Sequence, residues 1–223
     1  MRLAIVCVLV PLLAGCASRL AGASNEELVR DLVEIRPWDG HTGFGTPEGP
    51  KSYGWEAKEI LVERKAAAVP ALVAALKDPS LDDLQKSLVR GAVADLGLYG
   101  RDAVPALVEE LKTSDTRKAW QVCFAMNRIG PAAQAAVPDL VALLEERGDE
   151  VVTPGFTVGD IVVAPNRLRT IVAYTLGSIR GHAEPALPVL AKGALQTEDV
   201  EYRRACRQAM RDILGPAPVY GRF

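Results

Sequence analysis

A proline in the interior of a helix removes a hydrogen bond and clashes with the preceding turn. This chain nevertheless places one in the same alanine- and leucine-rich setting four times. The segments are AAAVPALVAAL (66–76), RDAVPALVEEL (101–111), QAAVPDLVALL (134–144) and EPALPVLAKGAL (184–195). Their prolines, Pro70, Pro105, Pro138 and Pro188, are spaced 35, 33 and 50 apart. The last gap contains a segment of different character, 149–165; leaving out its 17 residues restores a spacing of 33.

A second pattern precedes the last three prolines and recurs once more at the close of the array. LVRGAVADLGLYG (88–100), AWQVCFAMNRIG (119–130), RTIVAYTLGSIRG (169–181) and YRRACRQAMRDILG (202–215) are amphipathic and end in Gly100, Gly130, Gly181 and Gly215. Glycine at a helix end permits the left-handed conformation that releases the chain. Proline in the first turn of the next helix loses no intrahelical bond, and Asp102 is placed to cap the helix that carries Pro105. Each proline therefore marks a helix start, and two helices recur every 33 to 35 residues. The period excludes neither tetratricopeptide nor ankyrin repeats, but the signature W-x-x-L-G-x-x-Y and T-P-L-H-x-A patterns are missing.

The combination A-x-x-A-V-P-x-L after L-G-x-x-G resembles the short bacterial HEAT-like repeats also found in phycobilin lyases, over about 160 residues from Trp55 to Gly215. The resemblance implies an all-α fold: a right-handed α-solenoid of about five antiparallel helix pairs of HEAT-like/ARM type. NEELVRDLVEI (25–35) and EAKEILVERKA (56–66) would form a degenerate first pair that caps the stack. The repeat domain is expected to run over 25–215, with a loop insertion at 36–55, a hairpin-like insertion at 148–165 and a tail at 216–223.

The first residues read differently. Met1-Arg2 and an apolar run end in Leu13-Ala14-Gly15-Cys16, which looks like the lipobox of bacterial lipoproteins. The resemblance implies a signal peptide over 1–15, lipid attachment at Cys16 and a tether over 16–24. Ala17 in place of aspartate implies the outer membrane, at its periplasmic face, by the enteric sorting rule.

The residues point away from catalysis, so the chain reads as non-enzymatic, with no cofactor and no metal. The two histidines, His41 and His182, read as solvated turn residues. Some HEAT-like enzymes that bind a di-iron centre carry His-Glu pairs, and no His-Glu dipeptide occurs here. Cys123 and Cys206 fall on apolar stripes two repeats apart, about 20 Å at 8–10 Å per helix spacing. That is beyond disulfide reach, so both read as buried thiols. A net charge of −2 argues against nucleic-acid binding.

The second helices carry a basic bias: Lys86 and Arg90; Arg117 and Arg128; Arg169 and Arg180; Arg204, Arg207 and Arg211. Two readings stand. These residues line an inner groove for an acidic partner, or they complement helix dipoles and pair internally. Trp38, Phe44, Tyr53 and Trp55 in the 36–55 loop either form a contact patch or cover the end of the first repeat. The expected function is a membrane-anchored scaffold or adaptor for an unknown protein partner at the bacterial cell envelope, with no small-molecule substrate evident. A HEAT-like chromophore or cofactor lyase and a purely structural envelope protein are the alternatives.

Overall fold

The computed structural model describes Leu20 and residues 22–34, 53–153, 156–158, 161–163 and 166–215. The expectations for 1–15, Cys16, Trp38, Phe44 and the 216–223 tail lie outside the described residues. Among the described residues the protein is all-α with two small β-ladders, and the chain divides into two compact units, Met1–Ala92 and Val93–Phe223.

In the first unit, α1 (Asn25–Val33) packs against α2 (Tyr53–Glu63) and α3 (Val69–Lys77). Ser24 and Glu27 form a reciprocal capping box at the start of α1. The helix is tied to the turn after α2: Arg64 donates to Asn25 Oδ1 at 2.8 Å and to the Ala23 carbonyl at 2.7 Å, and Asn25 donates to the Ala67 carbonyl. Gln85, on α4 (Asp83–Leu96), satisfies the Val33 carbonyl at the far end. The loop expected over 36–55 ends earlier than its sequence suggests, because Tyr53 and Trp55 belong to α2.

In the second unit, first helices alternate with second helices: α5 (Val104–Lys112), α6 (Thr116–Ile129), α7 (Val137–Arg147), α8 (Leu168–Ile179), α9 (Leu187–Gln196) and α10 (Val200–Leu214). The second helices lie side by side, α8 against both α6 and α10, and each first helix packs on the second helix that follows it. Pro70, Pro105, Pro138 and Pro188 occupy the opening turn of α3, α5, α7 and α9 as the sequence predicts. Asp102 does not cap α5. A 3₁₀ turn (Gly97–Ala103) runs directly into the helix, and the Val104 N–H bonds to the Arg101 carbonyl. The same device recurs at Gly130–Ala136 and Arg180–Ala186, and these three connectors stack on one another through small buried residues such as Ala103, Ala136 and Ala186.

Each connector opens on a residue with positive φ: Gly97 (54°), Gly130 (68°) and Arg180 (61°); in the first unit Lys65 (54°) stands at the same point. The glycines that matter are therefore Gly97 and Gly130, and in the third case the left-handed residue is Arg180 rather than the following Gly181. At φ 61° and ψ −143° Arg180 occupies backbone space that normally belongs to glycine.

Two antiparallel ladders lie among the described residues of the region expected to be inserted at 148–165. β2 (Phe156–Val158) pairs antiparallel with β3 (Ile161–Val163), and β1 (Val151–Thr153) pairs with β4 (Asn166–Arg167), two residues beyond the expected end. The base of the hairpin starts α8. The Leu168 and Arg169 N–H groups donate to the Glu150 and Gly148 carbonyls, in place of the aspartate side chains that cap α6 (Asp115) and α10 (Asp199).

The core is built of aliphatic side chains and alanine, with Leu107, Met126, Ile129, Leu140, Leu168, Leu176, Ile179 and Leu190 fully buried. Burying each large side chain stabilises the fold by about 1.5–3 kcal/mol. Small residues let α8 approach α10: a Cβ on Gly177 would lie 2.8 Å from the Ala209 Cα. Gly177→Ala is therefore expected to lower stability by about 1–3 kcal/mol, since the clash is with backbone and cannot be relieved by a rotamer. Arg180→Gly is expected to raise it by about 1 kcal/mol by relieving the positive-φ strain. Urea denaturation of the two variants beside the parent checks both signs.

Candidate functional site

On α6 the buried residues Ala119, Val122, Cys123, Met126 and Ile129 define one face. The opposite stripe is Arg117, Trp120, Gln121, Phe124, Asn127 and Arg128, spaced three and four apart and so lying along one side of the helix. Trp120 and Phe124 stack with ring centroids 5.6 Å apart and planes 7° from parallel. Phe124 remains 41% exposed, and Tyr174, its counterpart one repeat later on α8, is 36% exposed. Asn127 donates to the Tyr174 carbonyl at 3.1 Å, so the two stripes are stitched into one surface. Neither α6 nor α8 contains an aspartate or glutamate. Arg204, Arg207 and Arg211 lie exposed on α10, the helix on the other side of α8. The result is an aromatic ledge flanked by arginines at both ends.

The sequence reading missed the ledge. Its signal was present: Phe124 and Tyr174 are 50 apart, the same interval as Pro138 and Pro188, and both fall between the apolar positions of their helices.

The nine basic residues do not form a single set. Lys86 and Arg90 belong to the first unit. Lys86 is half-buried, and Arg90 is only 2% exposed and donates to the Asp83 carbonyl at 3.3 Å. Arg90 stands 33 residues before Cys123, on the core stripe rather than the solvent one, which corrects its assignment to an open groove. Arg117, Arg128, Arg180, Arg204, Arg207 and Arg211 are exposed. Arg211 donates to Gln208 Oε1 at 2.6 Å.

Arg169 is a second correction. Its side chain is 18% exposed and pairs with Asp149 and, at 2.9 Å, with Asp199, while its guanidinium lies 4.8 Å from the Tyr202 ring centroid. Beside this cluster, Arg147 holds Glu150 in a two-pronged contact, and Thr116 donates to the same carboxylate at 2.6 Å. These contacts join the loops that lead into α6, α8 and α10, so Arg169 acts as an internal strut. A groove of about 620 Å³ opens over Arg169 and Tyr202, rimmed by Glu145, Glu146, Asp149 and Lys192. Its acids outnumber the free base on the rim, so it is not the basic groove expected from the sequence.

For Asp199, burial works against the charge, but the Tyr202 N–H and the Arg169 guanidinium outweigh it and hold the carboxyl below its ordinary value. For Glu150, the bond from Arg147 dominates in the same direction. Burial pushes the Cys123 thiol up to about 12 and also raises that of Cys206; both cysteines are free and buried. Among the described residues, no group of histidine, cysteine and carboxylate side chains could hold a metal ion, and no helix is long and apolar enough to cross a membrane. His182 is exposed in the Arg180–Ala186 connector.

No protein-family model and no curated protein matches this chain. Among solved structures, it is similar to the crystal structure of an engineered protein from the Northeast Structural Genomics Consortium. The likeness has a TM-score of 0.51 and 20% identity over 85% of this chain and 78% of the other, and it bears on the fold alone.

Two outcomes are expected here. Cys123, as a buried neutral thiol, should resist iodoacetamide in the folded chain and react on unfolding, as peptide mass spectrometry would show. Asp199→Ala should cost about 1–2 kcal/mol, mostly through the lost helix cap, because a partly exposed ion pair adds only a few tenths. A carboxyl depressed in the folded state stabilises above its unfolded value near about 4. That contribution disappears as pH falls through the folded value. The stability gap between the parent and Asp199→Asn should therefore close in acid, which urea titrations between pH 7 and pH 2.5 would reveal.

Proposed function

We propose that this chain is a lipid-anchored, HEAT-like helical-repeat adaptor of the bacterial cell envelope. In this reading it binds an acidic protein segment along the solvent face of α6, α8 and α10, without catalysing a reaction. The observation that carries the reading is the acid-free stripe of α6 and α8, with its exposed aromatic ledge between arginines. Solvent-facing arginines raise the encounter rate with a negatively charged partner. Aromatic side chains add large contact area at low entropic cost. The recurring proline, the left-handed turn and the stacked connectors support a solenoid of helix pairs, an architecture in which stacked second helices present an extended surface. Leu13-Ala14-Gly15-Cys16 supports anchoring through Cys16 at the periplasmic face of the outer membrane.

The test is a crosslinking capture from intact envelopes with the parent chain and two variants. Arg117→Glu/Arg207→Glu should reduce capture at least about tenfold and flatten its dependence on salt. Phe124→Ala should weaken binding about five- to thirty-fold with the salt dependence retained. Equal capture by all three chains would sink the assignment of the partner to this face. The absence of any captured partner would favour a purely structural envelope protein. Fractionation of Cys16→Ser beside the parent tests the anchor independently: the variant should leave the membrane fraction.

A further inference from the structure

The uncommitted charges of the second unit are sorted by layer. On the second helices, Arg117, Arg128, Arg204 and Arg207 stand exposed, with no ion pair or hydrogen bond among the described residues. The uncommitted carboxylates belong to the first helices. Glu145 and Glu146, in the last turn of α7, are exposed and equally without a partner among the described residues.

These two carboxylates and Asp149 rim the groove of about 620 Å³ that runs between α7 and α9. Leu144, Pro188 and Val189 supply apolar wall, and Tyr202 lines the groove from α10. Arg169 is already paired with Asp149 and Asp199, which leaves Lys192 against Glu145 and Glu146. The rim therefore carries an excess of negative charge over an apolar hollow.

The ledge and the groove match in two respects at once. The ledge presents Phe124 and Tyr174 between arginines, and the groove presents apolar side chains between carboxylates. Their widths agree as well. Phe124 and Tyr174 project from neighbouring second helices, while the groove is walled by neighbouring first helices, so each surface is one inter-helix step wide, about 8–10 Å. Within one molecule the two cannot meet. The ledge lies on the solvent side of the second helices, and the groove opens between first helices packed on their other side.

We propose that the acidic segment bound by the α6–α8–α10 face is the α7–α9 rim of a second copy of this chain. The proposal rests on the partner-binding face proposed above and names its occupant. The arginines of one copy meet Glu145 and Glu146 of the next, which speeds encounter and fixes register. The aromatic side chains of the ledge cover the apolar hollow. Because each copy offers two different surfaces, the contact is heterologous, and it continues from copy to copy unless the rotation closes a ring.

The test is sedimentation of the full chain over a range of concentration and salt, beside two charge-reversed chains, Arg117→Glu/Arg207→Glu and Glu145→Arg/Glu146→Arg. All four positions are exposed, so both chains keep the fold, which their urea midpoints check. The parent should grow past the dimer as concentration rises, and associate at least about tenfold more weakly when salt increases from about 0.05 M to about 0.5 M. Each reversed chain alone should associate at least about tenfold more weakly than the parent, and an equimolar mixture of the two should recover association. Recovery in the mixture is an outcome that a general loss of stability does not produce. A parent that stays monomeric at about 100 µM, association that neither reversal weakens, or a mixture that stays apart would each overturn the proposal. The face itself is judged separately. Envelope capture of a different protein, lost in Arg117→Glu/Arg207→Glu while the parent stays monomeric, would overturn the second copy as occupant and leave the face standing.

Discussion

The architecture of the second unit depends on a single backbone requirement. Each second helix must be released by a residue in left-handed space so that the chain can turn, make a short 3₁₀ connector and enter the next first helix without a side-chain cap. Gly97 and Gly130 meet the requirement at almost no steric cost. Arg180 meets it under strain, which persists because Ile179 on one side and Ala183 and Ala186 on the other are fully buried. Once the chain is released in the same way each time, the connectors superpose, and the proline two residues into the following helix needs no hydrogen bond that the turn would have supplied. The period of the sequence is the imprint of this turn.

Opposite the stacked connectors, the other edge of the layer is held by polar contacts. The connector edge uses small apolar residues at close range. The loop edge uses Thr116, Arg147, Glu150, Asp149, Arg169 and Asp199, whose contacts span 20 to 34 residues of sequence apart from the local Arg147–Glu150 pair. Apolar stacking tolerates variation in side-chain identity, whereas the polar edge depends on particular partners, because each contact joins one loop to another or caps a helix start. Asp199 carries two duties there, as cap of α10 and as counter-ion of Arg169.

Much of the fold was legible in the sequence because its signals are local and repeated. Proline at a helix start, glycine after an amphipathic run, and β-branched runs around glycine all act within a few residues. The hairpin and the apolar stripes through Cys123 and Cys206 follow from the same kind of evidence. The departures arise where identity and position conflict. Arg90 was read by its charge, although its place in the repeat is that of Cys123, a core position. Arg169 was read as a surface residue because Asp149 and Asp199, twenty and thirty residues away, are not visible as its partners in the sequence. Glycine is the residue that sequence assigns to a release point, which singles out Gly181, while the turn falls on Arg180. The aromatic ledge was overlooked because Trp120, Phe124 and Tyr174 resemble core residues in composition, and only the helical phase separates them from the buried stripe.

The hairpin between α7 and α8 has a consequence for how this chain can be remodelled. The links from α5 to α6 and from α9 to α10 are three residues long and end in an aspartate that caps the helix. In the longer link no such aspartate is needed, since backbone carbonyls at its base receive the first N–H groups of α8. The excursion is thereby divided into a base that belongs to the helix and an outer ladder, β2 with β3, that forms its own two-stranded sheet. Sequence can be exchanged, lengthened or grafted beyond β1 and β4 while the helical layer keeps its register, whereas removal of the whole insertion would need a new aspartate at its junction.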